Sequence, residues 1–207
     1  MVIDHPIFLE SIKFIRSHLE ANDLNYLEKK VLERLVHTSG DFSVQNLLEF
    51  SEGACEKGVL ALKNGAPILT DTDMAAAAIK SMAENTNRNK VFTARRWFQE
   101  NNHAKLTKTA YGLSEGWKEL SLKNSGIKSP IIVIGSSPTA LTHIVNILEN
   151  AKNLPSLIIG MPVGFIEVEK SKNKLISADL PRIVLNSTRG GAAMAAATVN
   201  SLLRETI

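Results

Sequence analysis

The apolar positions of this chain follow two periods that alternate along it. At helical spacing, Ile7, Phe8, Ile12, Ile15 and Leu19 make one face of a helix over 6–20, with Pro6 in its first turn. Leu27, Val31, Leu32, Leu35 and Val36 do the same over 27–37. A third helix over 54–64 runs into Gly65, a residue suited to a C-terminal cap. From there the pattern changes. Short apolar runs at 67–70, 91–93, 131–134, 157–159 and 183–185 have the length of strands, and the run at 131–134 is strongly β-branched. Runs that are apolar on both faces predict a parallel sheet covered on both sides. Helical patterns at 72–83, 114–123, 139–149, 168–175 and 191–203 lie between and after them. That alternation predicts a doubly wound α/β layer.

The segments that follow these strands read TDTD, GSSPT, GMPVGF and NSTRGG. In open parallel sheets, ligands bind outside the carboxyl ends of the strands, so these four loops are expected to form one binding rim. There is no internal repeat or low-complexity tract, and the asparagine-rich stretches at 85–89 and 150–153 read as polar connections. One domain over 1–207 is expected.

Composition narrows the picture. With 207 residues, 44% hydrophobic and 22% charged, the chain has globular proportions, which excludes disordered and collagen-like classes. A single cysteine, Cys55, excludes an intrachain disulfide and a cysteine-based zinc cluster. Lys and Arg total 24 against 21 Asp and Glu, a net charge of +3. That excess is too mild to imply nucleic acid but suits a soluble polyanionic ligand. The N-terminus lacks the basic region of a signal peptide. Residues 129–148 carry no formal charge and are long enough to span a membrane, yet they read as a buried strand, a turn and a helix. A cytoplasmic protein is expected.

Few residues stand out for chemistry. The five histidines fall in no HExxH or HxH pattern and no acidic cluster accompanies them, so a dedicated metal site is not expected. His18 and His103 lie in polar surroundings and read as surface, and His143 as helix surface or packing. His37 closes an apolar helical face and is followed at once by Thr-Ser-Gly-Asp. It has two readings: a histidine favoured near a helix C-terminus by the helix dipole, or a general acid or base beside a hydroxyl-rich turn. GSSPTAL has the character of an anion-binding turn at the start of a helix, and RGG makes a second such start with a cation beside it. For Gly190–Gly191, a tight turn into an alanine-rich packing helix is the alternative. Asp71 reads first as N-cap of the helix at 72, and Cys55 as a structural thiol.

Taken in order, HPI and ES near the start, LVHTSGDFS at 35–43, NGAPILTDTDM at 64–74, IGSSPTAL at 134–141, SLIIGMPVGF at 156–165 and RGG with AAATVNSLL at the end make a specific series. The series resembles the precorrin-8X methylmutase family of cobalamin biosynthesis, called cobalt-precorrin-8 methylmutase in the anaerobic route. The resemblance spans essentially the whole chain. It implies a flavodoxin-like, three-layer α/β/α fold with a five-stranded parallel sheet and additional N-terminal helices. It implies an isomerase that moves a methyl group from C11 to C12 of a corrin precursor, giving hydrogenobyrinic acid or cobyrinic acid. It implies no cofactor and no protein-bound metal.

His37 matches the family histidine expected to protonate the macrocycle. The expected contacts to the polycarboxylate corrinoid are Ser11 and Thr38, Thr70 and Asp71, and Lys108 and Thr109. On the later loops they are Ser136 and Thr139, Gly164, Lys172, and the Arg189-Gly190-Gly191 turn. The family implies a homodimer working beside the neighbouring enzymes of its pathway, with neither nucleic acid nor membrane as partner. The sequence departs from the family at several of these places. Ser136–Ser137 replace Asn-Ala, Lys108 replaces an arginine, and Lys170 replaces a glutamate. The final turn shifts its cation by one place, to Arg189. A non-catalytic corrinoid-binding paralogue is the alternative function, and a nucleotide- or phosphate-binding protein of the same architecture a more distant one.

Overall fold

The structure, a computed structural model, describes residues 5–20, 23–98 and 106–207. His103 lies outside these residues. Helix α1 (Pro6–His18) starts on proline, with His5 Nδ1 accepting from the Ile7 amide at 3.3 Å. Helix α2 (Tyr26–Ser39) opens on a capping box in which Asn25 and Glu28 satisfy each other's backbone amides. It buries Val31, Leu32, Leu35 and Val36, the face expected from their spacing. A short 3-10 turn (Phe42–Asn46) leads to strand β1 (Leu48–Phe50), then helix α3 (Ala54–Lys63).

The strands that follow are β2 (Ile68–Thr70), β3 (Val91–Thr93), β4 (Ile131–Ile134), β5 (Leu157–Gly160) and β6 (Arg182–Leu185). Helices α4 (Asp73–Asn85), α5 (Lys108–Lys123), α6 (Pro138–Leu148), α7 (Val168–Ser177) and α8 (Ala192–Arg204) lie between and after them. The sheet order is β1-β6-β5-β4-β2-β3. All five strands predicted from apolar runs are present and mutually parallel. Their spatial order is that of a flavodoxin-like sheet, with the direction of winding reversing between β2 and β4.

Sheet residues alternate between the two cores. Ile68, Ile131, Val133, Leu157, Ile159 and Ile183 face α1, α2, α3, α4 and α8. Leu69, Ile132, Ile134, Ile158 and Val184 face α5, α6 and α7. Every side chain of β4 and β5 is buried, as a central parallel strand requires. Each large aliphatic removed from water in this way contributes about 1.5–3 kcal/mol. The uncharged stretch at 129–148 resolves into β4 and α6. Among the described residues no helix is long and apolar enough to cross a membrane.

Three local expectations change. The sheet gains a sixth strand: β1 pairs antiparallel with β6, Leu48 opposite Leu185. Its three residues are too few to display a period, and its middle residue, Glu49, faces solvent. Strand β3, expected to be covered on both faces, is half-buried because it lies at the sheet edge. Helix α5 begins at Lys108 rather than 114, with the Thr107 side chain accepting from the Ala110 amide. Glycine at 112 and 116 weakens the helical pattern. Both positions are required by packing: a Cβ at Gly112 would lie 2.2 Å from the Ala94 carbonyl oxygen.

Candidate functional site

Direct contacts join the strand-end loops into one rim. At the reversal between β2 and β4, Asp71 is 3% exposed, and its Oδ2 accepts from the Ser136 amide at 2.7 Å and the Ser137 amide at 3.0 Å. This corrects two expectations. The N-cap of α4 is Thr72, whose side chain accepts from the Ala75 amide, because Asp71 is turned inward onto the neighbouring loop. The amides of the GSSPT turn therefore hold the protein's own carboxylate rather than standing open to an external anion. Burial pushes the Asp71 carboxyl above its ordinary range, opposed by the amides of Ser136, Gly135 and Ser137. Its Oδ1 is buried without a hydrogen-bond partner.

The rim continues toward α8. Gly135 lies so close to α8 that a Cβ would sit 2.7 Å from the Ala192 Cα. The Gly191 amide donates to the Met161 carbonyl at 2.8 Å, and the Gly164 amide to the Thr188 carbonyl at 3.0 Å. At Gly190, φ is +154° and a Cβ would meet the Met161 oxygen at 2.1 Å, so close approach as well as the turn requires glycine here. On the other flank, the Thr107 and Thr139 hydroxyls are 3.1 Å apart, which brings the start of α5, with exposed Lys108 and half-buried Thr109, to the start of α6. Ser136 and Thr139 are exposed on this rim. Thr70 is buried, its hydroxyl 2.9 Å from the Thr72 carbonyl and 3.2 Å from that of Phe92.

Two predicted cations have internal partners. Lys172 is 0% exposed, and its ammonium donates to the Ser187 and Arg189 carbonyls, each at 2.6 Å. Burial lowers its pKa to about 8, with Glu169 pulling the other way. The Arg189 guanidinium binds the Asp41 carboxylate and, at 2.6 Å, the Ser43 hydroxyl. Neither partner was singled out from the sequence. Asp41 lies inside the HTSGD motif, and that motif was the available signal.

The Arg189–Asp41 contact ties the segment just after α2 to the rim, and His37 stands four residues before Asp41. His37 is exposed in the last turn of α2, which closes on Gly40. Its Nδ1 lies 2.8 Å from the Ser11 hydroxyl of α1, and the edge-on Phe8 ring is 5.1 Å away. Arg34, one turn earlier, places its guanidinium 5.0 Å from the Phe8 centroid. Partial desolvation, then the Arg34 charge, lower the His37 pKa below its usual 6.5. Thr38 is also exposed, its hydroxyl donating to the Arg34 carbonyl. Beside this group a cavity of about 340 Å³ opens between α1, α2 and α8, lined in part by Phe8, Ile12, Arg34 and Arg204.

The chemistry on offer is therefore an oriented imidazole at a helix end. The rim adds exposed hydroxyls, a lysine at the start of α5, and large apolar side chains left in water. Phe165 and Ile166, on the loop after β5, are 90% and 81% exposed. Sequence reading placed GMPVGF on the rim but did not single out these side chains. His18 is exposed, His143 is half-buried, and Cys55 is fully buried with its thiol pKa pushed up by desolvation.

Comparison with known proteins gives one consistent picture. The precorrin-8X methylmutase family profile matches residues 6–205. A precorrin-8X methylmutase from Pseudomonas aeruginosa is 32% identical over 203 residues, covering 96% of this chain and 94% of that protein. A cobalt-precorrin-8 methylmutase from Methanocaldococcus jannaschii is 31% identical over 184 residues, covering 88% and 81%. The crystal structure of precorrin-8X methylmutase from Thermus thermophilus superimposes with a TM-score of 0.85 at 30% identity, covering 97% of this chain and 95% of that one.

Proposed function

The chain belongs to the precorrin-8X methylmutase family, isomerases of corrin biosynthesis, and we propose that His37 is the acid that drives its methyl shift. In this reading the substrate is precorrin-8 or its cobalt form, and a methyl group moves from C11 to C12. Proton delivery to the macrocycle leaves the ring electron-poor, so the methyl migrates with its bonding pair. A proton then leaves, and substrate and product are isomers. Such a rearrangement has no leaving group, and its protein requirements are a proton donor and a shaped surface.

One observation carries the assignment: the Ser11 hydroxyl on Nδ1 of an exposed His37. A hydroxyl both donates and accepts. In the imidazolium, which is the acid form, it accepts from Nδ1–H, and the proton available for transfer is the one on Nε2, opposite Ser11.

The substrate carries several carboxylates. Lys108 and the remaining donors of Arg189 are the rim cations placed to meet them. Ser136, Thr139 and Thr38 supply exposed hydroxyls, and the Phe165–Ile166 loop supplies apolar area for the face of the ring. Asp71, Thr70 and the Gly164 and Gly190–Gly191 backbones support these loops from within. The protein is further read as a cytoplasmic homodimer acting beside the other enzymes of its pathway. Light scattering at micromolar concentration tests the dimer. The function itself is tested by mixing the purified protein with precorrin-8X and following the visible spectrum. Conversion to hydrogenobyrinic acid is expected; binding without conversion would leave a corrinoid carrier instead.

A further inference from the structure

We infer that Lys172 is a positioning residue for the rim: its enclosed ammonium, bound to the Ser187 and Arg189 carbonyls, fixes the turn that presents Arg189 and the start of α8 to the substrate. The inference rests on the methylmutase reading and changes what Lys172 does within it, from a ligand contact to an internal post.

The geometry is specific. Two carbonyls two residues apart converge on one nitrogen, each at 2.6 Å. The carbonyl between them, on Thr188, accepts from the Gly164 amide at 3.0 Å. The turn is thus held from α7 on one side and from the loop after β5 on the other. The Arg189 amide closes it further on the Ser187 hydroxyl at 3.1 Å. Just beyond, the Gly191 amide is fixed on the Met161 carbonyl. With its backbone set in this way, Arg189 reaches Asp41 and Ser43 near the end of the helix that bears His37.

A lysine is an expensive way to fill a core position. Enclosing an ammonium is unfavourable unless its donors are satisfied, and an apolar side chain of like volume would avoid that cost. The cation is accounted for by what it holds. A compact point charge with rotatable donors can gather two carbonyls of one tight turn, which a planar guanidinium does less well.

The test compares Lys172→Met, Lys172→Gln and Arg189→Met with the wild type. Amide exchange measured by NMR without ligand is expected to speed up at Gly164 and Gly191 by about tenfold in Lys172→Met, with the rest of the fold protected as before. Affinity for hydrogenobyrinic acid, followed by visible absorption, is expected to fall about tenfold. The kinetic loss should fall on KM more than on kcat, and adding Arg189→Met should give little further loss. A purely structural lysine would lower the melting temperature and leave affinity per folded molecule unchanged. A folded Lys172→Met with wild-type exchange and affinity would overturn the inference. Should Lys172→Met not fold, the same result in Lys172→Gln would overturn it. If the wild type itself binds no corrinoid, the family reading fails, and the exchange measurement still decides whether Lys172 holds the turn.

Discussion

The Ser11 hydroxyl lies 2.8 Å from Nδ1 of His37, so the first helix holds one edge of the imidazole and leaves the Nε2 edge opposite it. The two residues are 26 positions apart and meet because α1 packs along α2. The pair joins two helices that lie outside the sheet.

Removing the hydroxyl should therefore slow turnover without unfolding the protein. Ser11→Ala is expected to lower kcat about fivefold to tenfold, the equivalent of one hydrogen bond of about 1 kcal/mol. Ser11→Thr, which keeps the hydroxyl, should retain most of the rate. Steady-state kinetics on precorrin-8X, with circular dichroism to confirm folding, makes the check.

The pH dependence follows from the lowered pKa of His37. The acid form is the donor, so kcat should rise as pH falls through a midpoint below 6.5. Folding has the opposite sign. Between 6.5 and the lower folded value the unfolded chain binds more protons, so stability from this group is complete above about 6.5 and erodes below it. Imidazole NMR should show the depressed midpoint, moving upward in Arg34→Met as the repelling charge is removed.

Asp71 separates support from chemistry. Asp71→Ala strands the Ser136 and Ser137 amides and should cost about 1–3 kcal/mol in urea unfolding at neutral pH. Asp71→Asn keeps an acceptor and should cost less. Because burial raises the native pKa, wild-type stability from this group declines as pH rises from 3.8 through the folded value, and the asparagine variant should lose that dependence.

Gly190→Ala tests the close approach of two loops. The added Cβ would lie 2.1 Å from the Met161 oxygen at a φ of +154°. A loss of about 1–3 kcal/mol is expected, together with weaker corrinoid binding. A calorimetric scan and an absorbance titration measure the two effects separately.

Much of this architecture is legible in the chain. Strands β2, β4, β5 and β6 announce themselves because buried parallel strands are nearly continuous apolar runs, and α1 and α2 because each buries one stripe. What stays hidden is whatever depends on contacts distant in sequence. Strand β1 is defined by its ladder to β6, not by its own three residues. Asp71 looks like a cap beside Thr72 until folding brings the Ser136 and Ser137 amides within reach. Lys172 looks like a rim cation because the sequence does not show that its ammonium is enclosed. His37 could be singled out from its motif, but Ser11 entered only through the family resemblance, since a serine on an amphipathic helix carries no sign of its partner.

His37 is proposed as the source of the proton for the methyl shift. The most direct test of that role is conversion of precorrin-8X by His37→Ala, followed by visible absorption under single-turnover conditions beside the wild type. No conversion is expected on the wild-type timescale, with hydrogenobyrinic acid still bound within about tenfold of the wild-type affinity. Wild-type conversion by the folded variant would contradict it and remove His37 from the mechanism.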